Sequence, residues 1–250
     1  MMIKEEQHFQ SAEEVSPELA TAVLSWVLSV ADTKHRIGMQ ISHWVTGTPA
    51  LEAAVGSAAI TQDELGHARS LYGILRYFPG APDAIGAEND LEARDVYYAP
   101  AALSPRWQSW LQVVAINVVL DSALQVAIAQ TKDSAFRPLA GRTAKILQEE
   151  RFHRIFGASW VERIVQDGKL NAQLQQAMDW AWHITDAWLG PADDPITIQL
   201  VAAGVLRAET AVMRQQWLDL ITPIFTNNGL TMLTLQSDWS GWNPQFRHNE

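Results

Sequence analysis

Two stretches of this 250-residue chain carry the same pair of side chains at the same spacing. In SAAITQDELGHARSLYGIL, residues 57–75, Glu64 and His67 stand three apart, and in LQEERFHRIFGASW, residues 147–160, Glu150 and His153 do the same. Three residues is close to one helical turn, so each pair shares a helix face. Two further carboxylates interrupt apolar runs. Asp32 follows LATAVLSWVLSVA, uncharged from Leu19 to Ala31, and Asp121 is the only charge between Trp107 and Thr131. A buried carboxylate needs a partner or it protonates, so a cation or strong hydrogen bonds should face Asp121: a metal ion, a side chain such as Arg69, or a backbone donor. Four carboxylates and two neutral imidazoles are hard and borderline donors that suit Fe or Mn. Bridging carboxylates hold two such ions close enough to act together on one oxygen molecule. The expected centre is two Fe ions, or Mn, ligated by Asp32, Glu64, His67, Asp121, Glu150 and His153, with activity resting on Glu64 and Glu150.

A single Glu-x-x-His is a weak signal in a chain with seven His and fourteen Glu, and a third match, Glu5 with His8, lies in the charged N-terminal tail. The context carries the argument. Both pairs lie on apolar helical stretches, and a lone Asp precedes each, Asp32 by 32 residues before Glu64 and Asp121 by 29 before Glu150. Asp32-x-x-His35 has the same spacing, which leaves His35 as an alternative first-helix ligand. Glu149 reads as solvated, His43 and His183 as ordinary core or surface residues, and Trp180, Trp182 and Trp188 as a packing or subunit face.

The elements that must position these residues are helices. Pro follows a capping residue at Ser16-Pro17, Thr48-Pro49, Ser104-Pro105 and Asp194-Pro195, each opening a helical pattern. The pattern predicts long helices over about 16–44, 48–78, 104–130 and 134–166, then shorter ones over about 170–189 and 195–221, with no convincing strand. Residues 79–103 lack sustained helical periodicity. Stretched out at about 3.3 Å per residue they reach about 80 Å, against about 45 Å for a thirty-residue helix, so the chain can return along a whole bundle. The fold class is all-α: a ferritin-like four-helix bundle with a long crossover between its second and third helices and additional C-terminal helices. The domain organisation is one helical domain over 1–250, with the core bundle at about 16–167, further helices at about 170–221 and a tail at 222–250.

Composition narrows the remaining classes. A net charge of −10 with no basic run argues against nucleic acid and anionic membranes, and no segment reads as a signal peptide or a membrane span. A cytoplasmic location is expected. Zero Cys excludes disulfides, thiolate nucleophiles and cysteine-ligated clusters, and no Gly-rich dinucleotide fingerprint is present.

With QDELGHA followed by LY, and EERFHRIFGASWVERI after an Asp-bearing apolar helix, the chain resembles the ring-oxidising subunits of the bacterial phenylacetyl-CoA epoxidase complex over roughly residues 16–220. The resemblance implies an O2-dependent di-iron monooxygenase subunit that epoxidises an aromatic acyl-CoA, fed electrons by a separate reductase and paired with a paralogous subunit in an oligomer. The chain length is closer to that of the smaller, non-catalytic subunit of that family. The alternatives are such a structural subunit, or a ferritin-like ferroxidase or peroxide-scavenging protein. Asp32 departs from the longer Glu that the resemblance implies on the first helix.

Overall fold

The computed structural model describes residues 8–81, 97–236 and 238–249. Its α-helices are α1 (Pro17–Ser42), α2 (Leu51–Tyr72), α3 (Trp110–Val118), α4 (Leu120–Ala129), α5 (Arg137–Asp167), α6 (Asn171–Leu189), α7 (Pro195–Ala202) and α8 (Thr210–Asn227). A two-residue antiparallel ladder, Trp242–Asn243 with His248–Asn249, closes the C-terminal segment. Residues 82–96, most of the expected crossover, with Asp83, Glu88, Asp90, Glu92 and Asp95, whose sequence reads as a solvated loop, lie outside the described residues.

Cross-helix contacts fix the direction of each helix. Gly38 of α1 meets Leu65 of α2 while Asp32 bonds to Tyr72, so the first two helices are antiparallel. Gly56 of α2 meets Phe156 of α5 while His67 bonds to Glu149, and Asp121 of α4 reaches His153 of α5 while Thr131 bonds to Thr143. Both pairs are therefore antiparallel too, so α2 and the α3–α4 pair run the same way. The connection from α2 to α3 must travel the length of the bundle, which makes this an all-α, ferritin-like arrangement.

Each bundle helix buries one seam at alternating spacings of three and four residues. On α1 it is Val23, Val27, Val30, Lys34, Ile37 and Ile41; on α2, Ala53, Ser57, Ile60, Glu64, His67 and Leu71. On α3–α4 it is Val114, Asn117, Asp121, Leu124 and Ile128; on α5, Leu139, Thr143, Ile146, Glu150, His153, Trp160 and Ile164, with Gly157 in the same register. The charged side chains thus replace apolar knobs within the seam instead of standing on a polar face.

Four element boundaries differ from the periodicity. Ser104-Pro105 opens no helix, because Gln40 Nε2 donates to the carbonyls of Leu103, Ser104 and Pro105 and its Oε1 accepts from Trp107 N–H. With those carbonyls engaged, the helix starts at Trp110 under a Ser109–Gln112 capping box. The same helix is interrupted at Val119, whose carbonyl accepts from the Trp217 indole at 2.9 Å, so Asp121 lies in the first turn of α4. The expected 195–221 helix divides into α7 and α8 because Gly204 adopts φ +70 and its carbonyl accepts from Ala135, with Arg207 N–H bonded to Gln130. The second helix begins at Leu51, three residues later than Thr48-Pro49 suggests. The segment Trp110–Ala129 is long and apolar enough to cross a membrane, but it is mostly buried inside the molecule as the core of the bundle.

The α2–α5 contact is close because Gly56 has no side chain: a Cβ there falls 2.3 Å from the Phe156 ring, whereas one at Gly66 meets nothing within 4 Å. Gly56→Ala is expected to lose about 1–3 kcal/mol of stability by overpacking, while Gly66→Ala is neutral or gains up to about 1 kcal/mol of helix propensity. Urea denaturation of the two variants checks this, and equal effects would contradict the packing.

Candidate functional site

Glu64 from α2, Asp121 from α4, and Glu150 and His153 from α5 converge in the middle of the bundle, each 2% exposed or less. One donor atom from each lies within 4.8 Å of the other three, a spacing that could hold one metal ion. A further side chain stands among them. Lys34, fully buried on the α1 seam, places its Nζ 3.1 Å from Glu64 Oε1 and in direct contact with Asp121 Oδ1 and Glu150 Oε1. The partner that Asp121 requires is thus an ammonium from the first helix.

The two imidazoles bracket this layer and resemble one another. His153 Nδ1 is 3.0 Å from Asp121 Oδ2 and 3.3 Å from Glu64 Oε1, and its Nε2 is 3.3 Å from Asp63 Oδ2. His67 Nδ1 is 3.2 Å from Glu150 Oε1, and its Nε2 is 2.8 Å from Glu149 Oε2. Each ring therefore links a buried carboxylate to a half-buried one on the outer surface of the α2–α5 pair, and the ring centroids lie 6.0 Å apart. Asp63 and Glu149 fix ring orientation in the manner of outer-layer carboxylates in metal sites.

Charge compensation governs the protonation of the layer. Burial pulls the Lys34 ammonium toward neutrality, but Asp121, Glu150 and Glu64 outweigh it and hold its pKa well above the usual lysine value. Burial also pushes Asp121 up, yet Lys34 and His153 together hold it far below the carboxylate range. Glu64 is raised to about 7, first by burial and then by the charge on Asp121, with Lys34 opposing. His153 is pushed up to about 12: burial opposes this, and its bonds to Asp121, Asp63 and Glu64 prevail. His67 is raised as well, against burial, chiefly by its contact with Glu150.

Asp32 does not join the cluster. Two residues from Lys34 is a rotation of about 200°, so the seam that aims Lys34 inward turns Asp32 away. One of its oxygens accepts from the Tyr72 hydroxyl at 2.7 Å and the other from Tyr98 N–H at 2.9 Å, and its neighbour His35 packs its ring 6.3 Å from that of Tyr72. Among the described residues three inward carboxylates remain where a charge-balanced divalent pair requires four. Together with the ammonium bonded to all three, this means that the residues present do not fit a di-metal centre with Lys34 in place.

A sequence model of the phenylacetic acid catabolic protein family matches residues 4–250. The chain belongs to that family. One relative, the C subunit of 1,2-phenylacetyl-CoA epoxidase from Escherichia coli (strain K12), is 24% identical over 194 residues, covering 77% of each chain. Within this family member the two Glu-x-x-His pairs are present and converge, as their spacing suggests. The residues that spacing missed are Lys34 and Asp63, and Glu149, expected to be solvated, is half-buried with its Oε2 2.8 Å from His67 Nε2. Lys34 was legible as the one charged position in the run Val23, Val27, Val30, Lys34, Ile37, Ile41, where every other member is a core hydrophobe.

Removing the ammonium strands three buried carboxylates, so Lys34→Met is expected to cost about 3–5 kcal/mol near neutral pH. The double variant Lys34→Met/Asp121→Asn should recover part of that loss, and a double-mutant cycle by chemical denaturation that finds strict additivity would contradict the contact.

The pH dependence follows from the raised groups. His153 contributes stability that is fully present below about pH 6.5 and is lost as pH rises toward about 12; Glu64 acts in the same sense between about 4.5 and 7. Asp121 contributes above about pH 4 and loses its contribution as pH falls below that. Unfolding free energy should therefore decline from pH 6 to pH 9, at most about 1.4 kcal/mol per unit for one group, and His153→Gln should flatten that decline. An unchanged slope in the variant would contradict the assignment.

Proposed function

We propose that this chain is a non-catalytic subunit of a phenylacetyl-CoA epoxidase-type complex, built on a di-metal bundle whose ionic centre is compensated by Lys34 and the two imidazoles instead of metal. The single observation that carries the reading is the Lys34 ammonium bonded to Glu64, Asp121 and Glu150 at the position where an ion would share those ligands. The likeness to a protein named as one of several lettered components of 1,2-phenylacetyl-CoA epoxidase supports membership of a multi-subunit assembly. In this reading the chain's contribution is a rigid helical scaffold for a metal-bearing paralogue, with ring epoxidation of the acyl-CoA and acceptance of reductase electrons carried by the other subunits.

A second reading is favoured by the two intact Glu-x-x-His pairs: a di-iron subunit in which Lys34 withdraws and Glu64, His67, Asp121, Glu150 and His153 ligate metal. One experiment separates the two. The chain, expressed alone and reconstituted anaerobically with Fe(II), is desalted, and iron is counted per chain. The scaffold reading expects far less than one Fe per chain, and no O2 consumption when a reductase, NADH and phenylacetyl-CoA are added. Close to two Fe per chain with acyl-CoA-dependent O2 uptake would establish the di-iron reading instead.

A further inference from the structure

We infer that Lys34 is a lock on a one-ion site: Glu64, Asp121, Glu150 and His153 are already assembled to hold a single divalent transition ion, and the ammonium from α1 keeps it out. The inference rests on the reading that the natural chain is metal-free. The four donors come from α2, α4 and α5, and each is buried to 2% or less, so the site survives intact if α1 contributes nothing. Glu64 supplies a second, independent sign. Its Oε1 faces Lys34 and His153, but its Oε2 is buried without a hydrogen-bond partner, an arrangement that costs free energy unless a cation completes it. Outer support is also in place, with Asp63 on His153 Nε2 and His67 on Glu150.

The donor set defines the ligand class. Three carboxylates with one imidazole suit Mn(II), Fe(II), Co(II) or Zn(II) in preference to soft ions. The number of ions is one, because Asp32 is committed to Tyr72 and Tyr98 and no fourth inward carboxylate among the described residues balances a second ion. Ammonium and metal exclude each other, since both draw on Glu64, Asp121 and Glu150 from the same central position.

The test is Co(II) titration of the full chain, followed by visible d–d absorption, by metal counting after desalting and by thermal melting. Lys34→Met keeps the apolar stem and offers no cation. It is expected to bind one Co(II) per chain and to melt higher with the ion than without, while wild type under the same conditions shows neither change. Asp63→Asn in the Lys34→Met background should weaken Co(II) about 10–100-fold by loosening His153. If Lys34→Met does not fold without metal, Lys34→Gln, which can hydrogen-bond to the carboxylates, carries the same measurement. Absence of binding in both variants beside a metal-free wild type overturns the lock and leaves the scaffold reading standing. Two ions per chain in either variant also overturns the lock as a one-ion site. Two ions in wild type overturns the scaffold reading itself.

Discussion

An ionic layer in the middle of a helical bundle has to be neutral within itself. Moving a carboxylate or ammonium from water to a dry interior costs on the order of 20 kcal/mol in the idealised limit, and several kcal/mol after relaxation, so each buried charge must be met at contact distance by an opposite charge or by strong hydrogen bonds. Here Glu64, Asp121 and Glu150 meet one ammonium, with two imidazoles behind it. The rest of the bundle arranges itself around that requirement. The glycines at 56 and 157 let α5 approach α2 and α3 closely, and the break at Val119, held by the Trp217 indole, puts Asp121 in the first turn of α4.

Asp32 shows how the same helix serves a second purpose. Its two bonds tie α1 to Tyr72, at the end of α2, and to Tyr98, where the chain returns from its long connection. The Tyr98 ring packs 4.9 Å from that of Phe246, and the adjacent Arg247, buried at φ +53, donates to the carbonyls of Trp188 and Leu189 and to Asp194. A buried carboxylate that reads as a ligand is thus an anchor that fastens the connection and, through Tyr98, the C-terminal segment to the bundle.

Periodicity and capping made most of the fold legible. Ser16-Pro17 starts α1, Gly168 ends α5 at positive φ, and the convergence of Glu64, His67, Asp121, Glu150 and His153 followed from two spacings and one of the two isolated charges, the other being Asp32. What escaped was decided by contacts distant in sequence. Gln40 suppresses a helix start at Ser104-Pro105, Trp217 interrupts the third helix, and Gly204 divides the last expected one. Lys34 escaped for a different reason: beside Asp32, His35 and Arg36 it reads as one of a polar group at the end of an apolar run. Only the alternation of three and four along Val23 to Ile41 distinguishes it from its neighbours.

At the centre of all this stands the Lys34 ammonium, fully buried and protonated, as the shared counter-ion of the three carboxylates. An amine-selective 1H–15N spectrum of protein labelled with 15N-lysine, recorded near neutral pH with and without excess Zn(II), measures this directly. The expected result is one slowly exchanging ammonium resonance that is absent from Lys34→Gln and does not change on adding Zn(II). A Lys34 signal that vanishes or shifts to a solvent-like position when Zn(II) is added would contradict it, because the metal would then have displaced the lysine in the natural chain.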